Sequence, residues 1–281
     1  MNRDWYKKEN ELLGQIVDTE IGRGEIALWY IGQTGVVLKG DVTVYVDPVL
    51  NEIAGPDGVS RKYYPAPFAP GEVRADYILC THGHIDHLAP ETIRGIYAAN
   101  GESTKYIVPG GCLPIMEELG IPLNLIIPAK AGEKIEVPGM TICPVQAAHP
   151  VHAVDDLGRD LALCYDIEMN GVHVLHMGDT YLTDQLYADL QKLPQPDIFL
   201  TPINGGDYFR TARDCIGNLS AIESATLAKI LRAKLTIPTH FDMMMGNTVD
   251  VRDFLGIFWD LNPAGRVSVP ALGERVIYRK D

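Results

Sequence analysis

The sequence predicts an α/β (α+β) protein in which two layers of strands lie between helices, and three observations lead to that fold class. Short apolar runs recur along the chain and alternate with stretches of helical spacing. No linker, low-complexity tract or short repeat interrupts the 281 residues. Hydrophobic residues make up 46% and charged residues 22%, which suits a globular protein with a substantial core. We therefore expect one domain over residues 1–281, with residues 1–24 as an N-terminal helical extension.

The predicted strands are apolar runs bounded by turn residues. The first three form hairpins, because the glycine-containing turns at residues 32–35 and 39–41 separate them. Residues 169–171 form the turn of a later hairpin. The predicted strands cover residues 26–31, 36–39, 42–46, 77–80, 105–108, 125–127, 140–145, 161–168, 172–176, 197–200, 235–238, 267–269 and 276–278.

Helices are predicted where apolar residues recur at helical spacing between those strands. The helix over residues 90–99 begins with Pro90 in its first turn and ends before Asn100 and Gly101. The stretch 51–73 is rich in glycine and proline and predicts a long irregular loop. The predicted helices cover about residues 4–16, 90–99, 110–119, 182–193, 220–233 and 251–261.

Charge and cysteine content narrow the partners. With 24 basic and 37 acidic residues the net charge is −13, which disfavours nucleic acid as a partner. The N-terminus lacks the apolar core of a signal peptide, and no window reaches the ~20 apolar residues of a membrane span. The five cysteines are odd in number and lack a CxxC pair, as in a reducing compartment. We therefore expect a cytoplasmic protein without a membrane partner. The predicted N-terminal helix packs either on the body of the protein or on a second subunit, so a homo-oligomer is one of the two alternatives.

One seven-residue stretch concentrates potential metal ligands. His82, His84, Asp86 and His87 directly follow the predicted strand 77–80 and precede a helix. His82 and His84 are two residues apart, so an extended backbone places them on the same side. Imidazole and carboxylate are the ligands that borderline divalent cations prefer. The stretch therefore predicts a metal site at a turn between a strand and a helix.

Three further predicted strands also end at residues that bind metals. His149 follows one strand, Asp179 the next, and His240 a third, while His152 competes with His149 for the same role. In a two-layered sheet structure such strand ends can lie along one rim. Seven donors are too many for one tetrahedral ion and suit two divalent ions that share a carboxylate and a hydroxide. The sequence does not distinguish zinc from manganese.

These motifs resemble the metallo-β-lactamase superfamily. The resemblance rests on residues 81–87, His149, residues 178–180 and His240, in order and spacing. It implies a four-layer αββα sandwich with the site at the sheet edges. A narrower similarity, at residues 26–35, 218–220 and 237–242, is to the L-ascorbate-6-phosphate lactonase branch.

The resemblance also assigns the donors to two ions. It implies that His82, His84 and His149 bind one ion. Asp86, His87 and His240 are implied to bind the other, with Asp179 between them. These ligand assignments are expectations that follow from the resemblance.

Other polar residues have more than one interpretation. Asp47 ends a strand next to a proline and is either a turn cap or a partner of a ligand histidine. His176 and His152 are predicted to contact the metal ligands without binding the metal themselves. An arginine could bind an anionic group of the substrate, unless it forms an ion pair at the surface. The candidate substrate-binding residues are Arg210, Tyr208, Asn204 and Arg61.

The predicted function is hydrolysis by a hydroxide that bridges two metal ions, with Asp86 orienting it and accepting its proton. The expected substrate is a small anionic lactone or ester of sugar-phosphate type. The alternative is a phosphodiesterase or nuclease of the same superfamily. Di-iron relatives carry a glutamate where this chain has Asp86, and a non-catalytic relative would have lost ligands, so both are disfavoured.

Overall fold

The computed structural model describes residues 9–280, in which strands and helices alternate. Its strands are β1 Glu25–Gly32, β2 Gly35–Lys39, β3 Thr43–Val46, β4 Tyr77–Leu79, β5 Lys105–Pro109, β6 Ile126–Ala129, β7 Ile135–Val137, β8 Met140–Gln146, β9 Leu163–Met169, β10 Val172–His176, β11 Ile198–Pro202, β12 Leu235–Thr239 and β13 Arg275–Arg279. Its α-helices are α1 Glu9–Asp18, α2 Pro90–Asn100, α3 Leu113–Glu118, α4 Asp184–Leu190, α5 Tyr208–Thr211, α6 Ala221–Ile230 and α7 Val251–Leu261. Among the described residues, no helix combines the length and the hydropathy that a transmembrane span requires.

The described strands form two mixed sheets. One has the order β13, β1, β2, β3, β4, β5, β6, and the other has the order β12, β11, β10, β9, β8, β7. In the first sheet, pairing is antiparallel from β13 to β3 and parallel from β3 to β6. In the second sheet, pairing is parallel from β12 to β10 and antiparallel from β10 to β7.

Strand β1 shows how the sequence distributes its side chains between layers. Ile26, Leu28 and Tyr30 belong to the core between the two sheets, whereas Ala27 and Trp29 belong to the core beneath the helices. All five are buried. A continuous apolar run is therefore needed here, because successive side chains point to opposite faces and both faces are covered.

Helices cover the outer face of each sheet. Leu12 of α1, Ile93 of α2 and Met116 of α3 pack with the first sheet. Leu186 of α4 and Phe254 of α7 pack with the second sheet. The layers therefore follow the order helix, sheet, sheet, helix, which confirms the four-layer αββα sandwich.

Three elements of the structure differ from the prediction. Residues 267–269 do not form a strand, since Val267 makes only an isolated parallel bridge to Thr236, and the proline at position 270 has no N–H with which to continue a ladder. The short strand β7 was not predicted. The described part of the N-terminal helix, Glu9–Asp18, extends two residues beyond the predicted end at residue 16. The predicted part at residues 4–8 lies outside the described residues, and the single-domain assignment stays a prediction.

Two further differences concern one helix boundary and one helix that was not predicted. Helix α4 is shorter than the predicted 182–193, because the Thr183 side chain accepts a hydrogen bond from Leu186 N and caps the helix there. The loop after β11 contains the short helix α5, which the Asp207 side chain caps. Both changes lie near the side chains that form the site.

Candidate metal centre

The segments that follow β4, β8, β10 and β12 meet and bring together the side chains predicted to bind metal. Their donor atoms fall into overlapping groups, and within each group the atoms lie within 4.8 Å of one another. We call His82, His84 and His149 the first group, and Asp86, His87 and His240 the second group. The third combination, His82, His87 and Asp179, overlaps both groups.

In the first group the ring nitrogens of the three histidines lie close together. His84 Nδ1 lies 2.9 Å from His82 Nε2 and 3.2 Å from His149 Nε2. Ligand atoms of a tetrahedral zinc ion are separated by roughly 3.3 Å, given Zn–N bonds of about 2.0–2.1 Å. The spacing therefore fits nitrogens that share a cation.

Asp179 lies between the two groups. Its Oδ1 is 3.3 Å from His87 Nε2, and its Oδ2 is 3.1 Å from His240 Nε2 and 3.7 Å from His149 Nε2. One carboxylate thus faces histidines of both groups, which is the arrangement of a bridging ligand.

Unpaired buried atoms show that the donor set fits a cation. His87 Nε2 and Asp179 Oδ1 are both buried and have no hydrogen-bond partner within the described chain, although they are only 3.3 Å apart. Buried polar atoms of this kind normally have a partner. Two such atoms that face the same space are explained by a metal ion between them.

Burial and neighbouring charges set the protonation of the histidines. Burial lowers the pKa of His149 to about 4. Burial also disfavours a charged His87, but Asp179 and Asp47 outweigh it and raise the pKa of His87 well above its usual value. At Asp179 burial acts the other way, yet His240 and His87 hold the carboxyl pKa well below its usual value. Because cations bind neutral imidazole, His87 must lose its proton when a cation is bound.

Asp47 holds His87 from the side opposite the cluster. Its Oδ2 lies 2.7 Å from His87 Nδ1 and accepts hydrogen bonds from the hydroxyls of Thr81 and Thr34, while its Oδ1 accepts from Thr81 N. A carboxylate in this position fixes the ring and leaves Nε2 free for a cation. The sequence left two interpretations of Asp47 open, a turn cap and a partner of a ligand histidine. The side chain makes both contacts.

Sequence reasoning predicted the turn at residues 32–35 but missed the contacts that Gln33 and Thr34 make with the donor groups. Gln33 Nε2 donates to Asp86 Oδ2 at 2.8 Å and lies 3.0 Å from His240 Nε2. Thr34 Oγ1 is 3.0 Å from His87 Nδ1. The available signal was the non-glycine residue at the first position of a two-residue turn, where glycine or asparagine is usual.

The two histidines predicted to support the ligands, His152 and His176, make different contacts. His152 Nε2 lies 2.7 Å from Thr183 Oγ1, so its hydrogen bond is made outside the donor groups and His149 occupies the position beside them. His176 Nε2 donates to Thr34 O at 2.9 Å, and its Nδ1 accepts from Gly178 N at 3.1 Å. His176 thus ties the turn of residues 33–34 to the loop that carries Asp179.

An open cavity of about 410 Å³ lies over the donors. Its lining includes the carboxylates of Asp86, Asp179 and Asp214 and apolar side chains such as those of Ile216 and Met245. In the described part of the chain, no lysine or arginine lines it. The wall is therefore acidic before any cation is bound.

A smaller cleft of about 220 Å³ shares a wall with this cavity. His84 and His149 border both, and the smaller cleft also contains the apolar side chains of Ile115, Val151 and Leu161. The first group is therefore open to two spaces of different polarity.

The arginine predicted as an anion clamp is engaged elsewhere. Arg210 donates through Nε to Asp207 Oδ2 at 2.5 Å, through Nη1 to Asn247 Oδ1 at 2.9 Å, and through Nη2 to Asn204 O at 2.8 Å. Asn247 lines the cavity, whereas Arg210 stands behind it. Tyr208 is 79% exposed and does not line the cavity.

The other two substrate candidates also lie outside the cavity. Asn204 is buried and accepts a hydrogen bond from Asn218 Nδ2 at 3.1 Å. Arg61 pairs with Asp57 at 2.9 Å. The structure therefore brings none of the predicted substrate residues to the cavity wall within residues 9–280.

The fold and the donor groups are those of an αββα protein with a candidate metal centre, and comparison with known proteins gives its family. Residues 42–241 match the sequence model of the Beta-lactamase superfamily domain, and the chain belongs to that family. A metal-dependent hydrolase of Archaeoglobus fulgidus is 29% identical over 234 residues, which cover 80% of this chain and 87% of that protein. A probable L-ascorbate-6-phosphate lactonase of Escherichia coli is 22% identical over 293 residues, which cover 92% and 80%.

A solved structure agrees with the fold. Igni18, a metallo hydrolase of Ignicoccus hospitalis, aligns with a TM-score of 0.67 at 20% identity, over 92% of this chain and 100% of that chain. At this identity the likeness concerns the fold alone. The predicted membership of the metallo-β-lactamase superfamily is confirmed, and the protein is a metal-dependent hydrolase of that superfamily.

Proposed function

We propose that the protein hydrolyses a small lactone or ester with water activated at the candidate metal centre. The observation that carries this proposal is that the two donor groups meet at Asp179 on the wall of an open cavity. Two divalent cations bound there, Mn²⁺ or Zn²⁺, would acidify water and polarise the carbonyl oxygen of the substrate.

The cysteines near the centre favour water as the nucleophile. Burial raises the pKa of Cys215, which lines the cavity, and raises that of Cys112 to about 12. The thiolate is the nucleophilic form of cysteine, so both side chains are poor nucleophiles near neutral pH. A covalent thiol mechanism is therefore disfavoured.

Asp86 is the residue that we propose orients the water and accepts its proton. Its side chain lines the cavity and is 18% exposed. The Gln33 amide lies 2.8 Å from Oδ2 and limits the motion of that oxygen. A carboxylate that is restrained and still reaches the substrate space has the geometry of a general base.

The proposed substrate is the small anionic lactone or ester predicted from the sequence. The cavity of about 410 Å³ suits a small molecule, and the Escherichia coli relative is described as a lactonase of a sugar phosphate. Arg210 is committed to Asp207, Asn247 and the backbone. An anionic group would therefore have to be balanced mainly by the bound cations.

Metal identity and location are further parts of the proposal. The donor groups contain both imidazole and carboxylate, which zinc and manganese both accept. All five cysteines lie in the described chain and none is disulfide-bonded, which supports the cytoplasmic location.

The test compares three substrates with the full chain loaded separately with Mn²⁺ and Zn²⁺. They are a phosphorylated sugar lactone, the same lactone without its phosphate, and bis-p-nitrophenyl phosphate. We expect ring opening of the lactones, faster with the phosphorylated one, and much slower cleavage of the phosphodiester. Asp86→Asn should remove most lactone turnover, whereas Asp184→Asn, at an exposed position of α4, should not.

The outcomes separate the proposal from its rival. Cleavage of the phosphodiester without opening of either lactone would replace the lactonase by a phosphodiesterase. Faster turnover of the lactone without phosphate would keep the lactonase and reject the anionic substrate.

A further inference from the structure

A glutamine lies beside the second group at a position with unusual backbone geometry. Strands β1 and β2 pair as far as Gly32 and Gly35, so Gln33 is the first residue of a two-residue turn. Its φ is 61°, in the left-handed region where hairpins of this kind usually place glycine. Gln33 is also only 1% exposed. Strained, buried positions of this kind are often retained for a functional contact.

The Gln33 amide contacts two of the atoms predicted to bind the same cation. Its Nε2 lies 2.8 Å from Asp86 Oδ2 and 3.0 Å from His240 Nε2. Those two atoms are themselves 3.8 Å apart. Any cation held by Asp86 and His240 would therefore be next to this amide.

An amide can face a cation in only one of its two orientations. An N–H group repels a cation and has no lone pair to offer, whereas an amide carbonyl oxygen is a ligand for hard cations. A half-turn of the terminal amide exchanges the two atoms, which have nearly the same size. The backbone of Gln33 is held in place, because its carbonyl oxygen accepts His240 N–H at 2.8 Å.

We propose that Gln33 Oε1 is an additional protein ligand of the cation bound by the second group. The inference rests on the metal centre of the proposed function and is independent of the substrate. With Gln33, the second group offers two oxygens and two imidazoles, against three imidazoles in the first group. The second group therefore prefers a harder ion such as Mn²⁺, and the first group prefers Zn²⁺.

The experiment titrates the metal-free full chain with Mn²⁺, followed by the EPR signal of the free ion, and with Zn²⁺ against a chromophoric chelator. Gln33→Gly removes the amide and suits the left-handed backbone, so the variant should fold, and its Tm checks this. Its Mn²⁺ affinity should fall roughly tenfold or more, with Zn²⁺ binding at the first group unchanged. Gln33→Glu keeps an oxygen at the same reach and should bind Mn²⁺ at least as tightly as wild type.

A second glutamine provides a matched control. Gln146 Nε2 donates to Asp160 Oδ1 at 2.9 Å, outside the donor groups, so Gln146→Glu should leave Mn²⁺ binding unchanged. In crystals loaded with Mn²⁺, an anomalous-scattering map should place Gln33 Oε1 within roughly 2.5 Å of the cation.

Four results would overturn the inference. If Gln33→Glu weakens Mn²⁺ binding as much as Gln33→Gly does, the amide serves only as a donor to Asp86. Unchanged binding in Gln33→Gly, or a map in which Gln33 remains bonded to Asp86 and away from the cation, would also reject it. A wild-type chain that binds neither cation would remove the proposed metal centre and this inference with it.

Discussion

The two donor groups differ in how firmly the protein holds them. In the second group, Asp47 holds His87 and Gln33 holds Asp86 through hydrogen bonds of 2.7 and 2.8 Å. In the first group His84 is exposed, and His149 Nδ1, which is buried, has no partner within the described chain. The second group thus has two donors held by such hydrogen bonds and the first group has one, since Thr81 Oγ1 lies 3.1 Å from His82 Nδ1. In the second group His240 Nδ1 is likewise buried without a partner in the described chain.

This difference implies two unequal cation sites. The non-glycine residues Gln33, Asp47 and His240 all have positive φ values, of 61°, 44° and 55°, so the backbone around the second group is strained. The folded chain already holds the donors in this strained arrangement, so the donors need little further ordering when a cation binds. The first group borders both the cavity and the apolar cleft. We therefore expect tighter, preorganised binding at the second group and easier cation exchange at the first.

The largest expected effect comes from the residue that joins the two groups. Asp179→Ala removes the carboxylate that faces His87, His240 and His149, so both cation sites should weaken together. Turnover should fall by more than ~100-fold, since partners that only support ligands already cost 10–100-fold. Metal content should fall in parallel, while circular dichroism should show a folded chain. Turnover near the wild-type level would reject Asp179 as the bridging residue.

A smaller loss of cation binding is expected from variants of two neighbouring histidines, and it distinguishes the first group from the second. His149→Ala removes a first-group donor and should abolish one class of cation site, leaving binding at the second group in place. His152→Ala is the matched control, because that ring bonds Thr183 instead of the donor groups. Stepwise metal titration measures both. Equal losses of cation binding in the two variants would mean that His152 contributes to the first site as much as His149 does.

The sequence predicted the fold well where a physical pattern was strong. Strand β1 is apolar throughout because both of its faces are covered, and such a run is visible in the sequence. Strand β7 was missed because it has only three residues and carries Glu136 at its centre. Residues 267–269 have the β-branched composition of a strand, but only Val267 bridges to β12. Pairing partners, which composition does not reveal, decided these two cases.

The candidate site was predictable to the extent that its residues follow strands directly. His82, Asp179 and His240 each do so, and the structure brings their donor groups together. Gln33 was overlooked because an amide in a turn has no distinctive spacing, and its role depends on a contact with Asp86, which lies 53 residues away. Arg210 was a candidate substrate residue with a surface ion pair as the alternative, and its ion pair with Asp207 agrees with the alternative. Long-range contacts and local competition for charge are both hidden in a single sequence.

The smallest effect in this series should come from the support of the second group. Asp47→Asn keeps the shape of the side chain but removes the charge that faces His87 Nδ1 at 2.7 Å and two threonine hydroxyls. His87 would lose the partner that fixes its ring, so affinity at the second group should fall by roughly 10–100-fold. Cation binding at the first group should remain, which metal titrations of the wild type and the variant would show.

A second variant separates this effect from a general loss of stability. Asp160 is another buried carboxylate, which accepts Ala131 N at 2.8 Å and Gln146 Nε2 at 2.9 Å outside the donor groups. Asp160→Asn should lower the free energy of unfolding by an amount on the order of 1–3 kcal/mol and leave cation affinity unchanged. Loss of affinity in both variants would mean that stability, and not the hydrogen bond to His87, controls the second group. Loss of affinity at the first group in Asp47→Asn would mean that the two groups act as one unit, which would remove the distinction between a supported and an open site.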